Sequence, residues 1–539
     1  MLRALVLAHL TLSAPAALAQ ATQAEPRAVR PASEPNLSAR ERVLVRHFVV
    51  VGATRWSSDE LRRLVLAQFE GRELSSEDLE SIRRRLTRWY VEHGYVNSGA
   101  LIPDQNVAEG IVRIQVVEGR LSRIEISGNR HLDAGYLAQR LQTSATVPLD
   151  VNRLLERLRL FQDVPIIDRV RASLGPGDLP GDASLRVQVD EAPPLQWGMA
   201  VANNRSPSVG SVRTQLFANH RSLTGHGDTL SVRYGVARGL DDFGLEYALP
   251  LNARDTTLSV RFDSSDALVV EAPFSELDIR SRTRAVAIGV SQPLVVSADH
   301  GYTLGLNIEH KSSDSTLLGE PFSFSPGIQN GSSSVTVLRF WQEAFARSSH
   351  NALALRGSLN LGVDAFGATI NTSGPDGRFL TLQGQMQWLH RFSDDGAQAF
   401  ARADLQWARD PLLPIERLAV GGAATVRGYR ENLLVRDQGL VLSAEWRQPI
   451  ARLSLPGFSQ LGEGVLQLAP FVDYGVTSNR QAQTPNPVWI GSVGLALRWS
   501  LARHLSAELI YGHALKKLDV RGNDLQDRGI HFRISLQSL

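Results

Sequence analysis

The sequence predicts an all-β membrane barrel, formed by residues 194–539, behind two small α+β units in tandem. Three observations predict it. The N-terminus has the form of an export signal. Between Val43 and Val189 one β-α-α-β-β order occurs twice. From Leu195 onward helical periodicity gives way to long segments in which apolar and polar residues alternate.

Arg3 precedes the apolar run Ala4 to Leu12, and Ala17-Leu18-Ala19 fits a small-x-small cleavage pattern, so residues 1–19 read as a removable signal peptide. The run is too short to span a bilayer, and no later run reaches that length. An exported chain of this kind crosses a membrane only as a closed barrel, because only helices and barrels satisfy their backbone polar groups in lipid. Residues 20–42 are rich in Ala, Pro, Glu and Arg, lack an apolar stripe, and read as a flexible linker.

The first α+β unit is expected over 43–119. Val43 to Val51 is a strand-like run closed by Gly52. Ser57 or Ser58 caps a helix carrying Leu61, Leu64 and Val65. Ser75 or Ser76 caps a second, whose face is Leu79, Ile82, Leu86, Trp89 and Tyr90 at spacings of three and four. Gly94 ends it, and strands follow near Val96–Leu101 and Ile111–Val117. The order repeats over 120–193, with a strand from Leu121 to Ser127, helices from Leu132 and Val151 capped by Asp133 and Asp150, and strands near Asp168–Ser173 and Ala183–Val189. Pro193 and Pro194 close the pair.

Beyond them Leu230, Val232, Tyr234 and Val236 alternate with Ser231, Arg233, Gly235 and Ala237, and similar segments recur as far as Ile530–Gln537. The segments run to about ten residues, several carry an aromatic near one end (Trp388, Trp407, Trp446, Trp489, Trp499), and long polar turns separate them. Roughly fourteen to sixteen strands are countable, and bacterial single-chain barrels take even numbers, which favours sixteen.

Composition narrows the function. The chain of 539 residues carries a net charge of +2, which argues against a nucleic-acid partner, and it has no cysteine, which excludes a disulfide frame and thiolate chemistry. There is no GxxxxGK[ST], HExxH or GxSxG motif, and the 13 histidines do not cluster at metal spacings, so neither catalysis nor a cofactor is expected. A diffusion porin needs no α+β repeats.

One stretch interrupts the alternation. Gly421-Gly422-Ala423-Ala424-Thr425-Val426-Arg427-Gly428-Tyr429-Arg430 sets one arginine among small residues, and Phe471-Val472-Asp473-Tyr474-Gly475 follows on a strand whose period of two puts Phe471, Asp473 and Gly475 on one face. These residues fit an Arg427–Asp473 ion pair with Phe471 stacked on the guanidinium and Gly475 leaving room. They fit equally a surface loop beside an unrelated strand.

Signal, paired units, barrel and Val426-Arg427-Gly428-Tyr429 together resemble the outer-membrane transporters of two-partner secretion (TpsB type), relatives of the hemolysin and filamentous-hemagglutinin secretion proteins in the Omp85 superfamily. Gly94-Tyr95-Val96, Leu101-Ile102-Pro103, Gln105, Gly110 and Glu118-Gly119 resemble the first periplasmic POTRA domain of that family, and Ile124-Glu125-Ile126-Ser127-Gly128-Asn129 the entry strand of the second. The resemblance implies that the loop at about 411–437 folds back into the barrel with Val426, Arg427, Gly428 and Tyr429 at its tip. It further implies that Phe471, Asp473 and Gly475 receive the tip, with Glu445 as the acidic residue of the preceding strand motif. It implies a monomeric channel in the outer membrane of a Gram-negative bacterium, with POTRA domains in the periplasm. These would recognise a large unfolded exoprotein, which the barrel secretes without ATP. Outer-membrane lipid, periplasmic chaperones and the barrel-assembly machinery are the other implied partners. The alternative is an Omp85-type assembly factor, which five periplasmic units would favour over two. For recognition by strand addition the candidates are Tyr95, Val96 and Leu101 in the first unit and Leu185, Val187 and Val189 in the second, all of which also suit ordinary sheet strands. Two features depart from the family pattern: Gln20–Arg42 is too proline-rich for the plug helix often found there, and Leu539 stands where many barrels end in an aromatic, so a modified assembly signal is expected.

Overall fold

The computed structural model describes residues 36–162, 164–392, 396–454, 463–501, 504–518 and 522–538. The expected signal peptide and most of the expected linker lie outside them. Two compact units divide the chain, one drawing on residues up to Trp89 and on Ala100–Val116, the other on Tyr90–Gly99 and from Val117 on.

In the first unit the run expected as one strand is two. Arg42–Val45 pairs antiparallel with Arg72–Ser75, whereas His47–Val51 runs parallel to Ile111–Val117 in a separate three-stranded sheet whose other edge is Gly99–Leu101. The break falls at Arg46, whose N–H turns aside to donate to Gly110 O at 2.8 Å. Ser57 caps its helix through a reciprocal box with Glu60, the Glu60 N–H donating to Ser57 Oγ at 3.2 Å and the Ser57 N–H to Glu60 Oε2 at 2.8 Å. Ser75 does the same with Asp78 ahead of the helix Ser76–Glu92. Leu79, Ile82, Leu86 and Tyr90 are its buried face; Leu64, on the preceding turn, is exposed.

The second α+β unit has strands Arg120–Ser127, Ile167–Pro176 and Asp182–Glu191 and helices Ala134–Gln142 and Val151–Gln162. Asp133 caps the first helix, accepting from the Tyr136 N–H at 2.9 Å. Asp182–Glu191 is the middle strand, parallel to Arg120–Ser127 on one side and antiparallel to Ile167–Pro176 on the other. The expectation that Leu185, Val187 and Val189 offer a free strand edge therefore fails. Their strand is hydrogen-bonded on both sides, and their side chains are buried in the core with Leu137, Leu141, Leu154 and Phe161. Alternation in a middle strand records one face on the helices, not an open edge.

This unit is fastened to the barrel. The Asp133 N–H donates to Gly225 O at 2.9 Å, and Arg140, buried, donates to Asp255 Oδ1 at 2.7 Å with its guanidinium 3.7 Å from the Tyr136 ring.

The barrel has sixteen principal antiparallel strands, from Leu195–Ala202 to Ile530–Gln537, which close on each other over the pairs Ala202–Arg533 to Gly198–Gln537. Its polarity is inverted relative to a soluble sheet. On Arg280–Val296 the outward Val286, Ile288 and Val290 are 46, 49 and 45 % exposed while the inward Ala285 and Ala287 are buried. That is the pattern lipid requires. The inner wall is polar, and its charges meet one another: Arg213 with Asp242 (2.7 Å), Arg233 with Asp263, Arg261 with Glu309 (2.7 Å), Arg402 with Asp404 (2.6 Å) and Arg498 with Glu508 (2.8 Å).

Candidate functional site

The strands Gln398–Ala408 and Gln438–Arg452 are wall neighbours, yet the chain between them does not stay outside the barrel. A short antiparallel pair, Leu418–Val420 with Leu434–Arg436, forms its stem. The inward Gln406 amide donates to Glu416 O and Asp437 O at 3.1 and 3.0 Å, and the inward Arg402 guanidinium to Ala424 O at 2.6 Å. The loop therefore occupies the lumen, with Val426, Arg427, Gly428 and Tyr429 at its tip.

Arg427 is 5 % exposed. Its Nε and Nη2 donate to Asp473 Oδ2 and Oδ1, both at 2.8 Å, in the two-pronged geometry that suits a guanidinium and a carboxylate. Its Nη1 donates to Glu445 Oε2 at 2.5 Å, its Nη2 also to Ser443 Oγ at 3.1 Å, and its backbone N–H to Asp473 Oδ2 at 3.0 Å. The guanidinium carbon lies 3.5 Å from the centre of the Phe471 ring. The charge of the buried guanidinium is met by the carboxylates of Asp473 and Glu445. The wall itself sets this geometry. Ser443 stands across from Asp473 and Glu445 across from Phe471 on adjacent strands, all with inward parity, and Val472 and Tyr474 point outward at 48 and 41 % exposed.

Glycines set the fit. Gly428 holds a φ of +87°, and a Cβ there would lie 2.6 Å from Gly512 O on the wall. At Gly475 a Cβ would meet Val420 and Val426 of the loop at 2.8 and 3.0 Å, so its room is for the loop's valines and not for the arginine. The Tyr429 hydroxyl donates to Gly491 O at 2.9 Å, and Arg430 is held by Asp527 and Glu271 on neighbouring loops.

Sequence reasoning did not find several parts of the site. Gly494 gives the Phe471 ring its space, His531 Nε2 accepts from the Gly428 N–H at 3.2 Å, and Arg447 and Arg498 bind Glu445 at 2.8 and 3.0 Å behind Arg427. Glycine inside a strand marks close backbone approach, a signal that was available at Gly512 and Gly494. A second holding point, Glu416 with Arg339 and Lys311 at 2.8 and 3.1 Å and Arg339 with Glu309 at 2.6 Å, had no local signal. Of the other candidates, Tyr95 is buried in a turn, Val96 is exposed outside any strand, and Leu101 lies exposed on the edge strand Gly99–Leu101. None of these meets the loop site.

A sixteen-stranded barrel with an inward-folded loop and preceding α+β units defines the class: an outer-membrane β-barrel transporter. The chain belongs to the family described as haemolysin secretion/activation protein ShlB/FhaC/HecB, whose model matches residues 181–497, and the ShlB-type POTRA domain model matches residues 43–119. It is thus an outer-membrane β-barrel transporter of the two-partner secretion family. Among relatives, it is 24 % identical to the heme/hemopexin transporter protein HuxB of Haemophilus influenzae strain 86-028NP, over 82 % of this chain and 78 % of that one. It is also 24 % identical to the outer membrane transporter CdiB of Escherichia coli, over 74 and 68 % of the two chains. Its fold resembles solved structures of CdiB from Escherichia coli (TM-score 0.69, 20 % identity, 95 % of this chain and 93 % of that one) and of BamA from Haemophilus ducreyi lacking POTRA domains 1–3 (0.54, 13 %, 92 % and 100 %).

Proposed function

We propose that this protein is the dedicated outer-membrane channel for one large secreted partner, of the hemolysin or hemagglutinin type, which its α+β units capture unfolded in the periplasm and its barrel passes outward without ATP. The observation that carries the reading is the loop clamped in the lumen by Arg427, Asp473 and Glu445. A route through this barrel is obstructed while that loop is seated, so the clamp is where transport is controlled. The names of relatives point the same way: HuxB is a heme/hemopexin transporter, and a hemolysin transporter, HpmB of Proteus mirabilis, is 22 % identical.

Capture is assigned to units 43–119 and 120–193, by strand addition at an outer edge. In the second unit the edge strand Ile167–Pro176 replaces Leu185, Val187 and Val189 as the candidate; in the first, Leu101 on Gly99–Leu101 remains. Pairing through the backbone would let one edge engage successive segments of that single partner whatever their side chains.

The test compares proteins of the culture medium from a deletion strain complemented with the wild-type chain or with Arg427→Ala. Loss of one large extracellular protein, restored by the wild type and not by a variant whose barrel is assembled, is the expected result. An unchanged medium with altered outer-membrane protein content would overturn the channel reading in favour of an assembly factor.

A further inference from the structure

We propose that Glu416 is a positioning residue of the lumen loop: by neutralising the wall at Lys311 and Arg339 it sets the place from which Arg427 reaches Asp473 and Glu445. Seating the loop matters for transport only on the channel reading proposed above, on which this role rests.

The loop meets the wall on opposite sides. In barrel order, counted from Leu195–Ala202, Lys311 and Arg339 stand on the seventh and eighth strands, His300–Leu317 and Ser332–Arg347. At the other end the Gly428 N–H donates to His531 on the sixteenth strand, Ile530–Gln537, and Gly428 lies against Gly512 on the fifteenth, Leu505–Ala514. Strands eight apart in a closed ring of sixteen face each other, so the loop spans the bore. A body held at two facing points does not shift at one without moving at the other.

The two ends carry opposite charge, and so do the patches of wall that receive them. Around the root, ion pairs link four wall cations, Arg233, Arg261, Lys311 and Arg339, to two wall carboxylates, Asp263 and Glu309. Glu416 supplies the third. It is 8 % exposed. Arg339 Nη2 donates to its Oε1 and Oε2 at 2.8 and 3.0 Å, and Lys311 Nζ to its Oε1 at 3.1 Å. Around the tip, Glu445 and Glu508 pair with Arg447 and Arg498, while among the described residues Asp473 pairs with no wall cation. Three carboxylates thus face two cations there until Arg427 joins them. Exchanging the ends would set Glu416 among carboxylates and Arg427 among cations, so the charges admit one seating.

The root is built to transmit this position. Leu412, Leu413 and Ile415 pack on Val335, Val337 and Phe379, an apolar seat on a largely polar wall. Apolar contact is non-directional and holds the root near the wall; the forked pairing of Glu416 with Arg339 is directional and fixes where it stops. At the neck of the tip the Asn432 N–H donates to Gly421 O at 3.3 Å, which joins the two limbs. A cavity of about 410 Å³ beside Glu309, Lys311, Arg339 and Glu416 is roomy enough for water, so loss of the carboxylate is screened in part.

The experiment uses the full chain in outer membranes and reads trypsin cleavage after Arg430, with heat-modifiability as the check on barrel assembly and secretion of the partner measured in parallel. Glu416→Gln is expected to speed cleavage about tenfold, although every contact of Arg427 is intact. Glu416→Asp keeps the charge and is expected to stay within about threefold of the wild type. Adding Lys311→Gln to Glu416→Gln leaves three cations with two carboxylates, the same excess of one as four with three in the wild type, and is expected to bring cleavage back to within about threefold. Cleavage of the single glutamine variant within about twofold of the wild type, no recovery in the double variant, or recovery of Arg427→Ala by Lys311→Gln would each overturn the proposal. Should the single variant fail to assemble, the double variant decides: a sheltered tip supports the proposal, and a cleaved tip or an unassembled barrel overturns it. Secretion separates the two readings, because fast cleavage with normal secretion leaves Glu416 its role and removes the clamp's control of transport.

Discussion

Replacing Arg427 by alanine removes four side-chain hydrogen bonds, two to Asp473 and one each to Glu445 and Ser443, together with the stack on Phe471. Breaking a buried pair by deleting one partner costs roughly 3–5 kcal/mol. Two features reduce this. Glu445 keeps Arg447 and Arg498, and Asp473 keeps the Ser443 hydroxyl at 2.7 Å, so neither carboxylate is stranded. Tyr429 and Arg430 also retain their own anchors. The expected loss is therefore about 2 kcal/mol of loop seating, or about a thirtyfold rise in the population with the tip released. Trypsin added to outer membranes reads this directly, because Arg430 and Arg436 in the loop are sheltered while it is seated. Cleavage at these sites should accelerate by about that factor while the barrel stays heat-modifiable. A rate within about twofold of the wild type would show that Arg427 does not hold the loop, and the gating argument would fall with it.

Gly428→Ala should release the loop as well, since it adds the strain of a left-handed backbone, about 1–2 kcal/mol, to a Cβ contact with wall backbone that cannot yield. Gly512→Ala presses on Gly428 from the other side, at 2.7 Å, and should reproduce the phenotype without any backbone strain; the same cleavage assay reports both. Arg140→Ala leaves Asp255 without its closest cation and should destabilise the junction between the second α+β unit and the barrel by about 2–3 kcal/mol, seen as faster hydrogen exchange in Ala134–Gln142 and the turn at Asn252–Thr256. At Glu191 burial favours the neutral acid, but the N–H groups of His131, Leu132 and Arg130, at 2.8, 3.1 and 3.1 Å, outweigh it and hold the carboxyl below its ordinary value of 4.5. A depressed carboxyl stabilises the fold above its unfolded pKa and loses that contribution as pH falls through the folded one. Protection of these three amides, normalised to intrinsic exchange, should thus fall at acid pH below about 4.5, and Glu191→Gln should remove the pH dependence.

Much of the site could be read in the sequence because strand parity is rigid. Once Phe471, Asp473 and Gly475 share a face and Val472 and Tyr474 are apolar, the lumen side of that wall follows. Parity cannot tell which strands neighbour one another in a mixed sheet, and the second α+β unit shows the cost: Leu185, Val187 and Val189 alternate as an edge would, yet their strand is the middle one. The break in the first unit falls at Arg46-His47, the polar pair in an otherwise apolar run; such a pair also fits a continuous strand, and only the carbonyl of Gly110, which takes the Arg46 N–H, marks the turn. Contacts between Glu416 and Arg339 depend on how deep the loop reaches, which no local pattern records.

The mutual pairing of charges on the inner wall has a consequence for anything that slides past it. A wall of one sign would hold a passing chain wherever that chain carried the opposite sign, and each such halt would have to be escaped thermally. Here Arg213 faces Asp242, Arg261 faces Glu309, Arg402 faces Asp404 and Arg498 faces Glu508, so the field cancels within a few ångströms of the surface. On the proposed channel reading, such a wall would neither draw in nor hold back a polypeptide of mixed charge. Direction would then have to come from the far end, with folding outside acting against backsliding like the pawl of a ratchet. The corresponding observable is weak ion selectivity of the opened pore, with cation and anion permeabilities of the same order; strong selectivity for one sign would show that the wall does hold its cargo.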